Sequence, residues 1–188
     1  MRFHRTSLLT FALTALFALV AGPLFANAQT KDSPEISRLL NEAKSYSVQA
    51  HMDATELESY THSNLSWHTH AQVLNSIRGH INNMGQLLQQ MQDIKTEGSP
   101  WQQDAIDRID PMLRQMADHL TTTIEYGNEH PNQVHMMKFQ NYVRACAEFA
   151  SQTHTLISDL VAYDQAQSKA QMLEQKLELP ESGSPETD

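Results

Sequence analysis

The chain of 188 residues has a single cysteine, Cys146, six glycines, and aromatics at only 7% of its length. One cysteine excludes a disulfide framework and the Cys-x-x-Cys-His attachment of a covalent haem. So little glycine excludes a collagen-like repeat, and no glycine-rich loop with phosphate-cradling spacing occurs. Basic residues are also scarce, 13 Lys+Arg against 22 Asp+Glu, for a formal net charge of −9. That balance lacks the positive footprint of a nucleic-acid binder, so no nucleic-acid partner is expected.

Reactive motifs are missing as well. Glu-x-x-His, needed on two helices of a di-iron carboxylate bundle, does not occur. His-Glu-x-x-His is absent, as is the Gly-x-Ser-x-Gly elbow of a serine hydrolase. Hydrolase, NTPase and oxidoreductase chemistry therefore has no positive signal, and the chain is read as a non-enzyme.

What is present begins with a leader. Arg2 and Arg5 precede an uncharged run from Leu8 to Val20, Gly22-Pro23 breaks it, and Ala26-Asn27-Ala28 supplies small residues at a cleavage site. About 20 apolar residues are needed to span a bilayer, so 1–28 reads as a cleaved secretory signal peptide, leaving no stable membrane anchor. Cleavage makes the mature chain two units more acidic and places it in the periplasm or outside the cell. No cysteine follows for lipid attachment, and the lone Cys146 reads as a small buried core residue.

Residues 29–179 read as one all-α domain. Ser33-Pro34-Glu35 opens a helix with an N-cap, a proline in the first turn and an acid facing the positive helix end. Apolar residues at helical spacing predict helices over about 34–62, 66–97, 100–127 and 131–178. Gly98 is read as a C-cap, Ser99 and Gln102 as a capping box, and Gly127-Asn128 as the end of the third helix. Pro111 inside that helix predicts a kink, or a break into two shorter helices. Short connections between long helices predict an up-down-up-down four-helix bundle with a long fourth helix. Residues 180–188, rich in Pro, Ser and Gly, read as a disordered tail.

Histidine is the unusual component, ten in all with His4 in the leader. His51, His80 and His119 should share one layer of the bundle and form the candidate metal site, for zinc or copper. Hydrogen-bonded boundary histidines are the plainer reading, and imidazole also allows a pH response. His68 and His70 lie two apart and point to different helix faces. Glu58 and His62, four apart, should form an exposed ion pair. Trp67 and Trp101 each open a helix, and their indoles should cap opposite ends of the core. The methionines read as flexible core filling.

Ser66-Trp67-His68-x-His70, the segment from Ser99 to Asp107, and Pro111 resemble a group of uncharacterised exported bacterial four-helix-bundle proteins. The resemblance covers most of the mature region and rests on cap and core residues. It implies export and a helical bundle, and no activity or site residue comes with it.

The expected function is thus protein binding or association with an envelope component, with no cofactor. The alternative is a metal- or haem-binding bundle, with zinc, copper or b-type haem held by His and Met. The fourth helix should outrun its neighbours from about Asp164. There Ala166, Ala170, Leu173 and Leu177 form a stripe expected to meet a protein partner or a second copy.

Overall fold

In the computed structural model, residues 31–177 are described; the leader, 1–28, and the tail, 180–188, lie outside them. The described residues are all-helical, with no strand among them. Helix α1 spans Pro34–Tyr60, α2 Trp67–Asp93, α3 Pro100–Glu129 and α4 Met137–Leu177; a single 3-10 turn, Lys95–Glu97, follows α2.

Local signals place most helix starts. Ser33 Oγ accepts from the Ile36 N–H at 3.5 Å, and Ser66 Oγ accepts from the Thr69 N–H at 3.4 Å. Each bond satisfies one of the four donors a helix start leaves free. Gln102 Oε1 accepts from the Ser99 N–H at 3.2 Å, so the glutamine half of the expected box is made.

Three boundaries differ from the sequence reading. Helix α2 ends at Asp93, short of the expected 97, and the 3-10 turn fills the gap to Gly98, which caps that turn in an extended conformation (φ −83°, ψ 155°). A Cβ there would lie 2.6 Å from Ile36 Cδ1, so close approach of the chains requires the glycine. Gly127 does not end α3, which continues to Glu129. It is buried inside the helix because the Trp67 ring occupies the place of its Cβ, 2.2 Å from Cζ3. The fourth helix begins at Met137 instead of near 131. Between them, the turns Gln133 N–H to His130 O and Met136 N–H to Gln133 O swing Val134 inward, 4% exposed. Helix α3 passes Pro111 as one element, so the two-helix alternative is set aside.

One core joins the four helices. Helix α1 packs mainly on α2 and α4, and α3 packs on the same two. Phe139, Ile36, Leu39, Leu57, Leu74 and Met84 are among its fully buried large side chains. Each contributes about 1.5–3 kcal/mol by leaving water.

At one end, the starts of α1 and α3 meet through Gln102, which is fully buried. Its Oε1 accepts from the Ser33 N–H at 2.8 Å and its Nε2 donates to Ser33 O at 3.0 Å and to Ser37 Oγ at 3.2 Å. Ser37 Oγ donates in turn to Asp164 Oδ1 of α4 at 2.7 Å. Trp101 donates its indole N–H to Asp32 Oδ1 at 2.6 Å.

The other end is aromatic. Trp67 meets Phe139 edge-on at 6.1 Å, and Tyr126 lies 5.2 Å from Tyr142. Here Gln140 Nε2 donates to Thr61 O at 3.2 Å, tying the start of α4 to the end of α1. The two tryptophans therefore sit at opposite ends.

Candidate functional site

The histidines are spread over separate contacts. His80 Nε2 lies 3.2 Å from Asp53 Oδ2, joining α2 to α1 in a half-buried pair, with Tyr46 at 6.2 Å. His119 stacks on Phe149 of α4, with centroids 4.3 Å apart. His51 stacks on His154 at 5.5 Å, their planes 6° apart. Each of the three candidate ligands thus has a different companion. Among the described residues, no group of three or more His, Cys, Asp or Glu is arranged to hold a metal ion. Each imidazole leaves its own helix in its own direction and meets a different neighbour.

The expected Glu58–His62 pair is replaced by another. Glu58 Oε1 faces Arg144 Nε of α4 at 3.7 Å, while His62 lies in the turn after α1. An arginine on the neighbouring helix takes the carboxylate.

Two arrangements escaped the sequence reading. His70 is fully buried, its Nδ1 2.9 Å from Ser66 O and its ring edge-on to Phe139 at 5.6 Å. A carbonyl partner fixes the proton on Nδ1 and leaves Nε2 as a buried lone pair without a partner. The other is the His51–His154 stack. His154 Nδ1 lies 3.4 Å from both Ser47 Oγ and Ser158 Oγ. Burial, the facing His51 and Lys44 together hold the His154 pKa below its ordinary value. Cys146 is buried and unpaired, and burial pushes its thiol up to about 12, so it is no nucleophile.

The concave surfaces are modest. An open groove of about 560 Å³ runs between α2 and α3, lined by Ile81, Gly85, Gln89, Leu113 and Arg114 among others. Arg114 is bound there to Asp110 at 3.0 Å, so no free charge points into it.

The end of α4 is different in kind. Among the described residues Asp164 is the last buried one, and all thirteen positions from Gln165 to Leu177 are exposed or half-exposed. Met172, Leu173 and Leu177 are 59%, 41% and 60% exposed. The other exposed large apolar residues include Leu65, Met136 and Met137, near the aromatic end. Ala166, Ala170, Leu173 and Leu177, the stripe singled out in the sequence, fall in this segment.

Among the described residues, no helix is long and apolar enough to cross a membrane. Comparison with protein-family models, curated proteins and solved structures finds no match.

Proposed function

We propose that this chain is an exported, non-enzymatic helical-bundle protein that works by binding protein, using the free end of α4. The observation carrying this reading is the thirteen-residue run of helix beyond Asp164, which keeps apolar side chains in water with no role in its own core. A helix that needs only to close a bundle has no use for that extension. Export to the periplasm or the medium is supported by the charge and cleavage pattern of 1–28, and the resemblance to exported bundle proteins points the same way. The absence of reactive motifs and the dispersal of the histidines favour binding over catalysis.

The helices run up-down-up-down in this proposal. Support comes from contacts between the starts of α1 and α3 at Gln102, and between the end of α1 and the start of α4 at Gln140. The third helix bends at Pro111, where one backbone hydrogen bond is missing.

A photo-crosslinking side chain at Leu173, introduced in the exporting host, tests the reading. Protein adducts are expected there after export, and none from the same probe at exposed Thr122 on α3. If neither Leu173 nor Leu177 yields a protein adduct, the proposal fails.

A further inference from the structure

Acidic residues are unevenly placed along this chain. From Ser59 to Gln92, and again from His130 to Ala147, there is no Asp or Glu, although the sequence carries 22 in all. Both runs contribute to the aromatic end. Gln140 Nε2 donates to Thr61 O at 3.2 Å and to His135 O at 3.1 Å, so the turn at 61–66 and the loop at 130–136 lie side by side. Trp67, opening α2, fills the space over Gly127 near the end of α3 and meets Phe139 of α4. In place of carboxylates this tip carries histidines. His62, His68 and His135 are exposed and His130 is half-buried, while His70 is withdrawn into the core.

The charge of the tip therefore changes sign with pH. Within about two turns of the helix ends, its carboxylates are Glu56 and Glu58 of α1 and Glu125 and Glu129 of α3. Its fixed cations are Lys138 and Arg144 of α4, and α2 brings only its histidines. Four carboxylates against two cations give a formal −2 with neutral imidazoles, and protonating the four accessible histidines turns this to +2. Three of the carboxylates are already engaged. Glu56 accepts from the Tyr60 hydroxyl, Glu58 faces Arg144 at 3.7 Å, and Glu129 lies 4.0 Å from His130. Asp53, Asp118 and Glu148 come next, about 10–16 Å back along their helices at 1.5 Å per residue. The Debye length is about 8 Å at physiological ionic strength, so the acidic body is largely screened from a surface that touches the tip.

Apolar side chains stand at the same place. Leu65, Met136 and Met137 are 37%, 49% and 74% exposed, and the rings of Tyr60, Trp67 and Tyr142 at this end are half-buried. Cationic groups among exposed apolar and amphipathic aromatic residues are the composition of an interfacial membrane contact. An acidic protein would answer the charge alone, whereas a lipid interface also takes up Leu65, Met136 and Met137. We propose that the aromatic end docks reversibly on anionic lipid surfaces in acid, with His62, His68, His130 and His135 as the cations and Leu65, Met136 and Met137 entering the interface. At neutral pH the same end is weakly anionic and stays off. This surface lies at the opposite end of the bundle from the exposed run of α4 and does not depend on what that run binds.

Vesicle flotation of the chain recovered after export tests this, with phosphatidylcholine vesicles that do or do not contain phosphatidylglycerol. With the anionic lipid present, the bound fraction should be about tenfold larger at pH 5.5 than at pH 7.5, and high salt should remove it. Near-UV circular dichroism should keep its native form at pH 5.5; binding that appears only as that signal is lost overturns the proposal. Replacing the four histidines together (H62Q, H68Q, H130Q, H135Q) should abolish the acid response. Met136→Ser with Met137→Ser, both at exposed positions, should weaken acid binding severalfold, and Leu173→Ser with Leu177→Ser should leave it unchanged. Acid binding that survives the four glutamines, or that is lost with the leucines and not with the methionines, overturns the assignment. Retention on immobilised polyglutamate at pH 5.5 without vesicle binding overturns it too, and would make the partner an acidic protein.

Discussion

Gly127 carries a constraint out of proportion to its size. In an exposed helix interior, alanine in place of glycine gains up to about 1 kcal/mol in helix propensity. At Gly127 the new methyl would sit 2.2 Å from the Trp67 ring, which is itself held edge-on by Phe139. Overpacking of that kind costs about 1–3 kcal/mol, so the clash outweighs the propensity gain. Gly127→Ala should therefore lower the midpoint of urea unfolding, whereas Gly79→Ala, with open space around its Cβ, should leave it unchanged or raise it. Equal responses of the two variants would show that the Trp67 ring moves aside freely. From sequence, Gly127 looked like a helix stop beside Asn128. What fixes it is a tryptophan sixty residues earlier, and no local pattern encodes such a contact.

Between elements, the α1–α4 seam sets two imidazoles face to face. The groups facing His154 there are His51 and Lys44 from α1, with the hydroxyls of Ser47 and Ser158. The folded pKa of His154 lies below its unfolded value of 6.5, so the unfolded chain takes up its proton first. Stability from this group is complete above about pH 7 and falls as the pH drops through 6.5 towards the folded pKa. Thermal unfolding at pH 7.5 and 5.5 should show a smaller acid loss in His154→Gln than in the unaltered chain. An identical loss would acquit the stack. The helices themselves were legible because Ser33 caps α1 where a capping residue was expected, Gln102 reaches back to the Ser99 N–H, and the apolar spacing is regular. The start of α4 was not, since Val134 is drawn into the core by a turn whose sequence resembles a helix start after Pro131. Nor were the histidine pairings, which depend on how each helix is rotated against its neighbour. That Ala166, Ala170, Leu173 and Leu177 lie in helix was legible, because their spacing is local to one element.

The whole molecule is held differently at its two ends. Gln102, Ser33, Ser37, Asp164 and the Trp101–Asp32 bond fasten one end with hydrogen bonds. Trp67, Phe139, Tyr126, Tyr142 and the inward-turned Val134 fasten the other with apolar surface. These two kinds of fastening respond differently to temperature. Apolar burial has almost no enthalpy near room temperature and weakens on cooling, whereas hydrogen bonding does not fade in that way. Cooling should thus loosen the aromatic end first. Amide hydrogen exchange followed from 35 °C to 5 °C reads this directly. The opening free energies at Gln133 and Met136, whose N–H groups are held in the turn before α4, should fall relative to those at Ser33 and Ser99. Parallel changes at the four amides would mean that the bundle opens as one unit. On the outcome expected here, the chain in a cold environment frays from the end opposite the exposed run of α4, and the segment proposed to bind protein keeps its anchorage at Asp164 while the far end breathes.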